Sequence, residues 1–99
     1  MFVLEPETAP REAYSYIAGF ADGNDEPGDL CSGMVAAARL AMADARVCLD
    51  DIDAIFAWGP GHKLVDKGEA RAMMRLFQSA LSEIPAVSIT GSIGTTLGA

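Results

Sequence analysis

The chain has 99 residues, of which 51% are hydrophobic and 21% charged; seven Lys and Arg stand against fourteen Asp and Glu, for a net charge of −7. That length supports one small domain with a single core, and the hydrophobic share excludes a disordered chain. The acidic balance argues against nucleic acid and anionic membrane as partners, since both require clustered cations, and leaves a basic partner open.

No apolar run approaches the ~20 residues that span a bilayer. The start, Met1-Phe2-Val3-Leu4-Glu5-Pro6-Glu7, has neither the basic opening nor the long apolar centre of a secretion signal, so a cytoplasmic protein is expected. Phe2 to Glu5 reads as a short strand closed by Pro6. Thr8 to Glu12 reads as a connector or one helical turn. Ala13 to Phe20 is aromatic and β-branched, which predicts a strand. Asp22 to Asp29 is acidic and turn-rich, a solvated loop whose carboxylates do not follow calcium-loop spacing.

A helix is predicted from Leu30 to Ala45, with Asp29 or Ser32 as N-cap. Val35, Ala38, Met42 and Ala45 form its stripe, broadened by Met34, Ala37 and Ala41, and so many alanines imply close approach to another element. Asp50-Asp51 make a turn. Ile52 to Ala57 reads as a strand covered on both faces. Trp58-Gly59-Pro60-Gly61-His62 follows as a tight loop. A second helix spans about Val65 to Ser82, with Ala70, Met73, Phe77 and Leu81 on its apolar face and Arg71 and Arg75 solvated on another. Gly68 weakens its first turn by up to ~1 kcal/mol relative to Ala. Pro85 marks the exit, Ala86 to Ile89 is a further strand, and Thr90 to Ala99 is a loop rich in Gly and Thr. The order β-β-α-β-α-β is an α/β fold whose last part is a βαβ unit with parallel strands and a right-handed crossover.

Cys31 and Cys48 form no CxxC pair and no metal-ligand set, so two free thiols, no metal and no cofactor are expected. Cys31 follows an acidic loop rather than a strand, which is the wrong setting for a nucleophile turn, and Cys48 just past a helix reads as a buried structural thiol. His62, the one histidine, reads as an exposed loop residue, because no second His or partner base accompanies it. Asp66 and Glu69 lie one turn apart near the positive end of a helix dipole. Gly91, Gly94 and Gly98 fit no phosphate-binding fingerprint.

Several strings taken together resemble the β-ketoacyl-[acyl-carrier-protein] synthases, the condensing enzymes of fatty acid and polyketide synthesis. They are Ala38 to Ala45, Leu49 to Ile55, Ala57 to Gly61, Asp66 to Ala70, Phe77, and Ile93 to Ala99. Val3-Leu4-Glu5 and Tyr14 to Phe20 are similar to the segment that ends the first half of such enzymes. The resemblance implies a partial thiolase-like fold, a fragment of a five-layer αβαβα architecture. Residues 1–21 would end the first half, 22–29 form the acidic loop, and 30–99 begin the second half. It implies decarboxylating Claisen condensation on carrier-bound thioesters, served by one Cys, two His and a Lys.

The positions matching the family's two His and its Lys are Trp58, Thr95 and Thr90, so no catalytic residue of that set is intact in this segment. An indole N–H donates a hydrogen bond but cannot accept one through nitrogen. Gly59, Gly61, Glu69 and Gly94 match residues that support the active-site loops, and Glu69 matches the carboxylate that braces them. The implied partners are an acyl carrier protein and a Cys-bearing ketosynthase subunit, in a homo- or hetero-oligomer. Three readings follow: an inactive relic, a non-catalytic subunit of a split or heteromeric ketosynthase, and a small acyl-binding module.

Overall fold

A computed structural model of the chain describes residues 4–9 and 11–94. Its elements are α1 (Ser32–Ala45), β1 (Ile55–Phe56), α2 (Lys63–Phe77), β2 (Ala86–Val87) and α3 (Thr90–Ile93), with 3-10 turns at Leu49–Asp51 and Gln78–Ser82. The arrangement is α/β, with α1 against α2 and the strands β1 and β2 paired in parallel.

Ile55 lies opposite Ala86 and Phe56 opposite Val87. The Ile55 N–H donates to Pro85 O at 2.9 Å and the Ala57 N–H to Val87 O at 2.8 Å. A parallel pair needs a crossover of a dozen or more residues, and α2 with its trailing turn supplies it. The expected six-residue strand from Ile52 is only two residues long. It is not covered on both faces, because Phe56 is 83% exposed.

The segment Ala13 to Phe20, expected to be a strand, has no regular secondary structure. A strand exists only where another backbone offers its free N–H and C=O groups, and here the chain runs along a helix instead. The Phe20 N–H donates to Asp44 Oδ2 at 3.2 Å. At Gly19 the backbone is so near α1 that a β-carbon would lie 2.6 Å from Ala41 O. The alanines of α1 therefore admit this segment. Of the expected first strand, Phe2 and Val3 lie outside the described residues, and Leu4 and Glu5 are not in a strand. Pro6 to Ala9 close one turn, with the Ala9 N–H donating to Pro6 O at 2.8 Å.

Neither expected residue caps α1. The N-cap position is Cys31, whose side chain makes no cap hydrogen bond. An aspartate from the preceding loop takes that role, since Asp25 Oδ1 accepts the Gly33 N–H at 2.8 Å. The Ser32 hydroxyl is engaged elsewhere. It accepts the Glu26 N–H at 2.7 Å and donates to Asp29 O at 3.0 Å. The helix stops at Arg46, whose φ of +58° turns the backbone left-handed, and the Val47 N–H closes back on Met42 O at 3.0 Å.

α2 starts two residues earlier than expected and ends as an α-helix at Phe77, where Gln78 takes a φ of +49° and the chain continues as a 3-10 turn. Its buried face is Gly68, Glu69, Ala72, Leu76 and Phe77; of the expected row Phe77 alone is buried, Met73 and Leu81 are half-buried, and Ala70 is exposed. Gly68 is where α2 passes closest to the chain before α1: a β-carbon there would meet Leu30 O at 2.7 Å. Its small size is thus a packing requirement. Arg75 is not free in solvent but pairs with Asp29 at 2.7 Å. The first residues of the expected terminal loop instead form α3.

Cys31, Ala72, Leu76 and Phe77 are the buried hydrophobic residues among those described, a small core. The accessible surface is 8188 Å², against roughly 5,400 Å² for a compact protein of this mass. The radius of gyration is 15.0 Å, against about 12.6 Å for a compact domain of this length.

Candidate active-site loop

The loop from Ala57 to His62 leaves the C-terminal end of β1, and the Ser88 to Gly91 segment leaves the same end of β2. In open α/β sheets, ligand sites form beyond these strand ends. The two segments touch. The Ser88 hydroxyl donates to Trp58 O at 2.8 Å, and a β-carbon at Gly91 would lie 3.9 Å from Gly59 O.

A carboxylate holds the loop from below. Glu69 Oε1 accepts the Trp58 N–H at 2.7 Å and Oε2 accepts the Gly59 N–H at 2.8 Å. Glu69 is 7% exposed, so these two charge-assisted bonds satisfy a group that would be costly to bury alone. Helix geometry puts it there, because Glu69 lies on the buried face of α2, between Gly68 and Ala72. Farther along, Asp66 Oδ1 accepts the Gly61 N–H at 3.2 Å. The loop backbone is thereby tied at three amides to one turn of α2. Gly59 and Gly61 take positive φ (+48° and +82°).

This fixes the peptide planes and leaves the Trp58 side chain 51% exposed at the strand ends. Thr90, half-buried, begins α3, and Gly94 ends it at φ +75°. Thr95 lies outside the described residues, as does Gly98. The structure therefore brings together Trp58, Gly59 and Glu69, and Thr90 lies between Ser88 and Gly91 on the segment that touches this loop. Gly61 is held by Asp66 farther along the loop. Sequence reasoning gave Ser88 no role; its only local signal is its place one residue past the C-terminal end of a strand.

Chemically the loop offers donors. The indole N–H donates, the Thr90 hydroxyl can donate or accept, and the Ser88 hydroxyl, whose proton goes to Trp58 O, is left as an acceptor. Glu69 is occupied by two amides. His62, at the outer end, is the exposed N-cap residue of α2 and makes no side-chain cap bond. The thiols are elsewhere. Cys31 Sγ donates to Asp29 Oδ1 and Cys48 Sγ to Asp51 Oδ2, each at 3.0 Å. The hydrogen bond to Asp29 and burial push the Cys31 thiol pKa up, opposite to what a nucleophile needs. Cys48 is exposed rather than buried, because the turn after α1 leaves it at the surface. The Arg75 guanidinium beside Asp29 brings that carboxyl down to about 2, with help from Cys31. Asp51 also falls below its ordinary value, through bonds from the Cys48 N–H and thiol.

The sequence profile of the family described as "Beta-ketoacyl synthase, C-terminal domain" matches residues 14–99. The chain belongs to that family. It is 41% identical over 84 residues to the "Actinorhodin polyketide putative beta-ketoacyl synthase 2" of Streptomyces coelicolor, an alignment covering 78% of this chain and 21% of that protein. It is 36% identical over 84 residues to the "Tetracenomycin polyketide synthase ketoacyl synthase beta subunit" of Streptomyces glaucescens, covering 78% of this chain and 20% of that one. The chain thus spans about a fifth of the length of these curated relatives. No solved structure matches it significantly. Among the described residues of this ketosynthase segment, no helix is long and apolar enough to cross a membrane.

Proposed function

We propose that this chain is a non-catalytic ketosynthase component, completed by further ketosynthase polypeptide in a polyketide-type condensing assembly. The family reaction removes CO₂ from a malonyl thioester, and the resulting carbanion attacks an acyl thioester held on a cysteine. It needs a thiolate to carry the acyl group and donors to steady the enolate and the tetrahedral oxyanion. The observation that carries the proposal is the loop at the end of β1. Its backbone is braced by Glu69, yet it presents an indole, through Trp58, where the family resemblance calls for an imidazole. Thr90 and Thr95 at the matching Lys and His positions deepen the loss. Gly59, Gly61, Glu69 and Gly94 then serve as the frame of a site that has lost its titrating groups.

The surface supports a completed assembly. The chain exposes roughly 2,800 Å² more than a compact protein of its mass, about what one partner contributes to a large permanent interface. Phe56 and Val87, on the two paired strands, are both exposed. The five-layer thiolase-like architecture would cover them, with a Cys-bearing ketosynthase subunit as the partner and an acyl carrier protein delivering substrate. A free-standing acyl-binding module is the weaker reading. A hollow of about 500 Å³ is an open depression around Met42, Val47 and Leu49 at the C-terminal end of α1, and the Trp58 loop does not line it.

The test has two arms. Purified chain given acyl- and malonyl-carrier thioesters is expected to release no CO₂ and form no 3-oxoacyl product; turnover by this chain alone overturns the inactive reading. Co-expressed with a Cys-bearing ketosynthase subunit, it is expected to co-purify as a stable complex. Its remaining apart under those conditions overturns the heteromeric reading.

A further inference from the structure

Two close approaches fix the course of the chain where it crosses α1 ahead of the acidic loop. A β-carbon at Gly19 would lie 2.6 Å from both Ala41 O and Ala45 N, and one at Gly23 would lie 2.7 Å from Gly33 O. The two contact points are about eight residues apart on the helix, a rise of ~12 Å. Four residues of chain cover that distance only when extended, at ~3.3 Å each. Side chains alternate along an extended chain, so Gly19, half-buried Ala21 and Gly23 face the helix, and Tyr14, Tyr16, Ala18 and Phe20 face away. Tyr14, Tyr16 and Phe20 are exposed accordingly. α1 ends at Ala45, beside Gly19, so Ile17 has run past it and is exposed as well. Among the described residues, no backbone group from Tyr14 to Phe20 meets another backbone. The Phe20 N–H alone is bonded, to Asp44 Oδ2 on α1.

We infer that this segment pairs antiparallel with the same segment of a second copy of the chain, about a two-fold axis at Ile17. A two-fold axis requires a self-complementary patch, and this stretch is one. With Ile17 opposite Ile17, Tyr14 lies opposite Phe20 twice over, and Tyr16 lies opposite Ala18. Ser15, Ile17 and Gly19 then exchange the hydrogen bonds. Their N–H and C=O groups point to the edge opposite the Phe20 N–H, so the bond to Asp44 is kept. Tyr14 and Phe20 thereby form a non-hydrogen-bonded pair, where side chains across an antiparallel ladder lie closest and aromatic pairs are stabilising. Glu12 opposite Asp22 ends the pairing, because like charges directly opposite repel. Three aromatics, at ~150–250 Å² each when covered, bring the area near the roughly 800 Å² per partner of a specific interface. The Asp44 bond occupies part of the other edge, so association closes at two copies. Phe56 and Val87 take no part, and this pairing is independent of the surface offered to a completing ketosynthase polypeptide.

Sedimentation of the purified chain over about 1–200 μM tests the pairing. The mass should rise from 10.4 kDa toward twice that value and stop there. Ile17→Pro removes the N–H at the two-fold axis from both copies, and Tyr14→Ser removes both cross-strand aromatic pairs. The dissociation constant should rise about 10-fold for the first and about 5-fold for the second. Far-UV circular dichroism should not change, because the segment carries no regular secondary structure. Cross-linking in a Cys48→Ser background reads the register; Cys31 is buried and does not compete. Under mild oxidation Ile17→Cys should give a disulfide-linked dimer, since a hydrogen-bonded pair sets the Cα atoms ~5.5 Å apart. Tyr14→Cys lies ~20 Å from its own symmetry mate and should cross-link about 10-fold more slowly. A mass that stays at 10.4 kDa across the range overturns the inference, as does growth beyond two copies. Unchanged affinity in either variant, or equal cross-linking at positions 14 and 17, overturns it too. So does a result in which the variants leave self-association intact and instead lower co-purification with a Cys-bearing ketosynthase subunit, which would assign the segment to that partner.

Discussion

Replacing Glu69 by Gln tests whether the carboxylate holds the Trp58 loop. The substitution keeps shape and volume, but one side-chain oxygen becomes an NH₂ group. That donor then faces the N–H of Trp58 or Gly59, which now donates at 2.7 or 2.8 Å to an oxygen. One charge-assisted bond is lost outright and the other reverts to a neutral one. A hydrogen bond to a charged group contributes about 1.5–3 kcal/mol, so a loss of about 2 kcal/mol is expected for this 7%-exposed site. That is a large share of the stability of a small domain. With a urea slope of ~1 kcal/mol per molar, the midpoint falls by about 2 M. Trp58 is the single tryptophan, so its fluorescence reports this loop directly, while circular dichroism reports the helices. Hydrogen exchange gives the local reading: the Trp58 and Gly59 amides should exchange roughly 30-fold faster, a factor that matches about 2 kcal/mol. Amides on α1 far from the loop should change less. If Glu69→Gln leaves the midpoint and both amides unaltered, the brace argument fails.

Three further outcomes follow from neighbouring contacts. Gly68→Ala should lower the melting temperature although alanine is the better helix former by ~1 kcal/mol, because its β-carbon would press on Leu30 O; a gain in stability would disprove the contact. The pairing of Asp29 with Arg75 contributes its stability fully above the unfolded carboxylate's pKa of ~3.9 and loses it as pH falls through the folded value of about 2. Urea midpoints measured from pH 5 to pH 2 should therefore fall more steeply for the parent than for Asp29→Asn, and identical slopes would refute the assignment. Iodoacetamide at neutral pH, followed by mass spectrometry, should label exposed Cys48 well before Cys31, which is 1% exposed and bonded to Asp29; equal labelling of the folded chain would contradict the burial.

The residue order was informative where the governing interaction is short in sequence. The helix hydrogen bond spans four residues, so the periodicity of Val35, Ala38 and Met42 located α1 and the apolar spacing after His62 located α2. The loop between Trp58 and His62 was visible from its glycines and proline. The ketosynthase resemblance was also legible, because it rests on the order of short strings rather than on contacts.

Features that join distant residues were not legible. A strand from Ala13 to Phe20 was a reasonable reading of its aromatic and β-branched side chains, but strand bonds are made with a partner chosen by the tertiary fold, and none of the described segments pairs there. Asp29 and Arg75 are 46 positions apart, and nothing near either announces the other. The same holds for the Ser88 hydroxyl on Trp58 O, 30 residues away. By itself, the sequence determined the order helix, strand, helix, strand between Ser32 and Val87, the acidic character of the chain and its ketosynthase kinship. Only the tertiary structure decided which apolar faces are buried, which amides Glu69 receives and why position 68 has room for no more than a hydrogen. Those properties depend on distances between segments, and no spacing along a chain encodes such distances.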